Sequence, residues 1–235
     1  MRTGCKSHDP ARAALLPSAR YGAVLPPASV PLPPWQPGAY DNNDNPTCVP
    51  IALAHAARAW SVKFGDASTD ITFTIPQIDA LYSAATGTPL AEIAASDGSD
   101  PLAVVERAQG RGWDIGGQAP LVPDFRVAAS TPLAISSGIA HVGAVMLALT
   151  LYEQDMEDAQ ARRPWIAVPA GDPIGGHMVA AAAYDSQRVQ LATWGMFQPA
   201  SWTWLAPRLR LVLVAGWRDL TPPGVDYGVV WGAAA

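Results

Sequence analysis

Apolar positions change rhythm near the middle of this chain. From Thr47 to Lys63 the spacing predicts a helix, with Ile51, Ala54, His55, Arg58 and Trp60 distributed round it. Thr47 is a suitable N-cap, and Pro50 falls in the first turn, where a missing N–H is tolerated. Ile75 to Ala85 and Pro101 to Gln109 read as further helices, the second capped by Asp100 and opened by Pro101. The stretch Pro132 to Tyr152 is rich in small residues and broken by Ser136, Ser137, Gly138 and His141, so it reads as a buried helix followed by a strand. His141, within that run, reads as a satisfied core histidine. Beyond it come short apolar runs separated by turn signals: His177 to Tyr184, Val189 to Trp194 and Arg208 to Ala215. Pro169 to Gly176, dense in Gly and Pro, precedes them as a connection. Trp202 to Leu205 reads as a helical turn or a short strand, and Gly110 to Phe125 as turns with one short strand. Helices in the first half and strands in the second predict an α+β fold.

The first 40 residues do not share this patterning. Leu25 to Pro37 (LPPASVPLPPWQP) is too rich in proline for regular helix or central strand and predicts an extended, polyproline-like arm. An arm of this length stays ordered only against its own domain or a neighbour in an assembly. The organisation expected is an arm over 1–40 and one domain over 41–235, a size that supports a two-lobed core but not two independent domains.

Composition narrows the function by exclusion. A net charge of −5 without a basic run argues against nucleic acid as a partner. No window reaches the roughly 18 apolar residues of a membrane span, and residues 1–20 lack the pattern of a signal peptide, so no membrane association is expected. Two cysteines, Cys5 and Cys48, cannot build a disulfide framework and form no C-x-x-C pair, which fits a reducing compartment. Phosphate-loop, dinucleotide and H-E-x-x-H signatures are absent from the sequence. Asp41, Asn43 and Asn45 imitate the start of a calcium loop, but Pro46 and Ala52 stand where it needs Gly and Glu. No metal or cofactor is expected.

The remaining chemistry centres on Cys48. It opens a predicted helix, where free N–H groups and the helix dipole favour a thiolate. His55 shares that helix but lies about 10 Å further along it. His8 falls in the arm. His177 follows Gly175 and Gly176 and begins the small-residue strand MVAAAAYD, the place from which a base can face a helix-borne thiol. Asn42, six residues before Cys48, offers a side-chain amide for an oxyanion; read locally, Asn42 to Asn45 is equally a polar turn.

An amide six residues before a Cys that opens a long helix resembles the papain-like cysteine peptidases. Gly175 to Gly195 (GGHMVAAAAYDSQRVQLATWG) resembles their His-strand-turn-strand region. The closer resemblance is to papain-like proteins of bacteriophages and bacteria with the pattern N-D-x-x-G-D-C, a helix ending in Trp, then G-G-H, Y-D and V-T-W-G. Here these elements are Asn42 and Cys48, Trp60, Gly175 to His177, Tyr184 with Asp185, and Thr193 to Gly195. The resemblance spans roughly residues 40–219. It implies a two-lobed papain-like fold with a helical first lobe and an antiparallel β second lobe. It also implies a cysteine peptidase or related amide hydrolase encoded by a phage or bacterium, with Cys48 as nucleophile, His177 as base and Asn42 at the oxyanion, acting, if a peptidase, on a peptide or protein substrate. The alternative, which the proline-rich arm favours, is a catalytically weak or inactive papain-like domain serving as a structural component of a phage virion (capsid or tail) or similar assembly and meeting other phage proteins through the arm; the location expected is cytoplasmic or virion. Two departures stand out. Ala192 occupies the place of the Asn that orients the imidazole, leaving Asp185 or Asp172 for the third role. Pro46-Thr47 replaces G-D before the Cys and stiffens the approach loop.

Overall fold

The computed structural model describes all residues except 2, 20, 22–24, 66–69, 116–118, 167, 169–170 and 231–235. The helical part follows the expected pattern. After a one-turn helix α1 (Pro10–Ala13), α2 runs over Cys48–Phe64, α3 over Ile75–Thr86 and α4 over Pro101–Arg111. Asp100 caps α4 by accepting from the Leu102 N–H at 2.9 Å. Thr47 holds the N-cap position of α2, yet its hydroxyl makes no cap bond. Leu90–Ala95 forms a 3-10 helix between α3 and α4.

The β part is one six-stranded sheet, all its pairs antiparallel. Its strands are β1 (Pro123–Val127), β2 (Val145–Tyr152), β3 (Pro173–Tyr184), β4 (Arg188–Thr193), β5 (Met196–Ser201) and β6 (Leu209–Trp217). Their order in the sheet is β1-β6-β2-β3-β4-β5. Helices α5 (Pro132–Val142) and α6 (Glu153–Gln160) flank β2, α7 (Trp202–Leu205) precedes β6, and α8 is Tyr227–Val230. The fold is α+β, as the change in patterning predicts.

Several expectations are revised. The connection ahead of His177 is shorter than its Gly/Pro content suggests, because β3 already begins at Pro173; residues 169–170 lie outside the described set. The short strand near Phe125 is β1, and part of the turn region before it, 116–118, is likewise not described. Strand β5 escapes a propensity reading because it contains Pro199, which an edge strand tolerates. His141 is only half-buried and faces the Tyr21 ring at 5.5 Å, so it is not a core residue.

One buried ion pair fixes the far side of the β lobe. Arg208 and Asp155, both within 1 % of full burial, meet through two nitrogens at 3.0 and 2.9 Å. Asp155 also accepts from the Trp204 indole at 2.8 Å and the Tyr152 N–H at 2.9 Å. Arg208 in turn lies over the Trp204 ring. Each charge is therefore compensated, the condition under which burying such a pair is tolerable.

The arm packs on its own domain. Gly4 and Cys5 donate to the Gly176 carbonyl at 3.0 and 2.9 Å, and Lys6 donates to that of Ser99 at 2.9 Å. Arg12 reaches Asp100 on the flank of α4. Residues 17–19 then bond Val127 on β1, covering the free edge of the sheet. Val30 pairs with Tyr184, and buried Trp35 stacks on His55 at 5.8 Å. Gly38 closes the course by donating to His55 Nε2 at 3.1 Å. Cys5, within the arm, is 4 % exposed.

Candidate active site

The first residue of α2 is Cys48, and α2 lies against β3, which carries His177. Strand β4 pairs with β3 only from Ala180 onward, leaving the stretch around Met178 open on that side. The Cys48 sulfur lies there, near enough to the backbone N–H groups of Met178, Gly4 and Cys48 itself for them to favour its thiolate. Both Cys48 and His177 are 0 % exposed. The packing of α2 on β3 thus sets the two elements that carry Cys48 and His177 against each other, although the residues are far apart in sequence. No hydrogen bond joins the thiol to the ring.

The imidazole is held on two sides. Its Nε2 meets the Thr193 hydroxyl at 2.7 Å, and Trp194 stacks on it at 4.2 Å with an interplanar angle of 15°. The turn from β4 to β5 arranges this. Trp194 and Gly195 both have positive φ, 43° and 76°, between the paired residues Thr193 and Met196. Such a two-residue turn matches the twist of a hairpin, with glycine supplying one left-handed position and Trp194 strained into the other. Nδ1 has no hydrogen-bond partner among the described residues, and in the tautomer in which Nε2–H donates to Thr193 it carries the basic lone pair.

Thr193 corrects the expectation of an empty third position. Ala192 does face the core, but the neighbouring hydroxyl meets the ring. Asp185 is elsewhere: it sits exposed at the far end of β3, eight residues on, accepting from the Gln187 and Arg188 N–H groups at 2.7 and 2.8 Å. Its role is to close the β3–β4 turn. Thr193 was missed because the expected residue type is an amide or carboxylate one position earlier; its place immediately before Trp194-Gly195 was the available signal.

Asn42 is fully buried, and neither amide atom has a hydrogen-bond partner among the described residues. The turn before it is strained, with Tyr40 and Asp41 at φ 46° and 59°. An unsatisfied buried amide costs roughly 1–3 kcal/mol, so such a residue calls for a reason.

Burial dominates the electrostatics. It pushes the Cys48 thiol from 9.0 up to about 12, against the lowering effect of the three N–H groups and of Arg210. Burial likewise pulls His177 from 6.5 down to about 3. The resting pair is therefore neutral thiol and neutral imidazole. The cover is the arm. A side chain on Gly4 would strike the Pro46 backbone, one on Gly98 would strike the Gly4 backbone, and one on Gly176 would strike the Cys5 carbonyl. Three glycines make the close passage of residues 3–6 possible. Among the described residues no cluster of metal-ligating side chains occurs, and no helix is long and apolar enough to cross a membrane.

A helix opening on a buried cysteine, laid on an antiparallel sheet whose facing strand carries a buried histidine, defines the papain-like cysteine protease fold. Solved structures agree. The chain is similar to xylellain, a cysteine protease from Xylella fastidiosa (TM-score 0.60, 13 % identity, 91 % of either chain covered). It is also similar to a procathepsin B from Trypanosoma congolense (TM-score 0.60, 12 % identity, 92 % of this chain and 86 % of that one). A cysteine protease of Carica candamarcensis aligns with a TM-score of 0.52 at 11 % identity, over 80 % of this chain and 98 % of that one. At these identities the likeness is one of fold. No protein-family model matches the sequence, and no curated protein sequence does.

Proposed function

We propose that the protein is a cysteine peptidase or related amide hydrolase held in a latent state by its own first residues. The observation that carries this reading is the fixed imidazole. His177 has one nitrogen anchored on Thr193, a tryptophan stacked on its face, and the other nitrogen unpartnered, on the strand against which α2, the helix opened by Cys48, is packed. In this reading Cys48 attacks the carbonyl carbon of the substrate while its proton passes to His177 Nδ1. The tetrahedral oxyanion is met by the Cys48 N–H and the Asn42 amide, which explains why that amide is buried without a partner. The adduct collapses to a thioester as His177 returns the proton to the leaving amine, and water hydrolyses the thioester in a second round.

The arm fits an inhibitor better than a substrate. It brings the Gly4 backbone N–H near the sulfur, that N–H donating to the Gly176 carbonyl, while the Gly4 carbonyl accepts from Ser99 N–H at 2.8 Å. Attack requires a carbonyl carbon at that point. The test is hydrolysis of a fluorogenic peptide mixture by full-length protein carrying Gly4→Val. Activity that appears with this substitution and vanishes on adding Cys48→Ala or His177→Ala supports the reading; an inert Gly4→Val protein with the arm displaced refutes it. The alternative of a virion component, contacting phage proteins through the arm, gains no support from an arm already engaged with its own cleft, sheet edge and helix.

A further inference from the structure

We propose that Arg210 forms a subsite for an acidic side chain of the substrate, next to Cys48 in the cleft that the arm fills. The proposal rests on the hydrolase reading for the word substrate, but its geometry is independent of catalysis.

Arg210 lies on β6 and is half-buried. Its Nη2 donates to the Leu149 carbonyl at 3.0 Å and, at a long 3.4 Å, to the Cys5 carbonyl of the arm. Its Nε is buried with no partner. Among the described residues no carboxylate pairs with it. Asp100, the acid on that side of the arm, is taken by Arg12 at 2.9 Å. The contrast with Arg208, two residues earlier on the chain, is direct. There the same two nitrogens, Nε and Nη2, hold both oxygens of Asp155. Arg210 leaves Nε unused, while Nη2 holds the Leu149 carbonyl and, only loosely, the Cys5 carbonyl.

Its position is set by Gly176. The guanidinium occupies the space a side chain on Gly176 would need, one residue before His177. Its charge acts on both thiols, lowering the pKa of Cys5 and of Cys48. The fork is therefore beside the chemistry and along the path of residues 3–6. When those residues leave, Nη2 keeps the Leu149 carbonyl but loses that of Cys5, which frees one of its N–H groups beside the unpartnered Nε. Two parallel N–H groups at guanidinium spacing match a carboxylate and no other common side chain so well. A half-buried cation without a counter-charge gains most from such a partner. The whole chain is acidic, with net charge −5, so any preference for a carboxylate is local to this fork.

The test measures binding, not turnover. Full-length protein carrying Gly4→Val and Cys48→Ala is titrated against fluorescein-labelled alanine-rich peptides in which one Glu, or its isostere Gln, is moved through each position. At one position Glu should bind at least tenfold tighter than Gln, with the difference shrinking as salt rises. Arg210→Met should abolish that difference and Arg210→Glu should turn it toward Lys. Should the Met variant unfold, Arg210→Lys decides the matter, retaining a reduced preference. Equal affinity for Glu and Gln at every position, a preference that survives Arg210→Met, or no binding of any peptide would each overturn the subsite. The two readings fail separately. Hydrolysis by Gly4→Val protein without a Glu preference removes only the subsite; Glu-selective binding without hydrolysis removes only the peptidase.

Discussion

Replacing Gly4 by valine in the full chain should convert Cys48 from an inert thiol into a reactive one. The added side chain meets the backbone of Pro46, which cannot rotate away, so residues 3–6 must lift from the cleft. Water then reaches a sulfur that burial holds at a pKa of about 12 rather than 9.0. Three pKa units are a thousandfold in thiolate at neutral pH. The less basic thiolate is also less nucleophilic, with a Brønsted slope of about 0.4–0.5. Ionisation alone therefore accelerates alkylation about thirty- to sixtyfold, and access adds to this. The assay is iodoacetamide labelling at pH 7.5, with Cys5 and Cys48 peptides followed separately by mass spectrometry. In the wild type both thiols should label slowly, since burial raises the Cys5 pKa as well. Cys48 labelling in the wild-type protein at the rate of a free peptide thiol would refute the argument. So would an unchanged rate in a folded Gly4→Val variant whose first residues have become protease-sensitive.

Other outcomes follow from the same geometry. Thr193→Val in the Gly4→Val background keeps the side-chain shape but removes the oxygen on His177 Nε2, so kcat should fall about 10- to 100-fold with KM little changed, as steady-state kinetics would measure. Asp155→Ala leaves the Arg208 charge buried and unpaired, and thermal unfolding should show a loss of about 3–5 kcal/mol. Stability should also fall with acid below pH 6.5: burial lowers His177 to about 3 and His55 to about 4, so the unfolded chain takes up protons that the native one refuses. Each histidine removes about 1.4 kcal/mol per pH unit until its native pKa is passed, a slope that denaturant titrations at pH 7, 6 and 5 would detect and that His55→Phe would reduce.

Local rules account for much of what the chain becomes. The helices over Cys48–Phe64, Ile75–Thr86 and Pro101–Arg111 follow from caps, prolines and apolar spacing, which act within a few residues and are readable in order. The strand beginning near His177 and the helix opening on Cys48 are legible for the same reason, and with them the α+β class. Other features depend on partners distant in sequence. Strand β5 exists because β4 offers it an edge, despite Pro199. Thr193 meets His177 because a left-handed Trp194-Gly195 turn aims that residue across the sheet. Asp185, attractive by its neighbours in sequence, is carried away by the length of β3. Residues 3–6 have no pattern that announces a cleft; their place is decided by three glycines, at 4, 98 and 176, that leave room for one backbone to cross another. Sequence determined the elements and nominated Cys48 and His177 as the candidate pair, since both readings draw on short stretches. Tertiary structure alone decided what covers that pair, what orients the ring and which cation stands beside it, because those are meetings between surfaces that no spacing encodes.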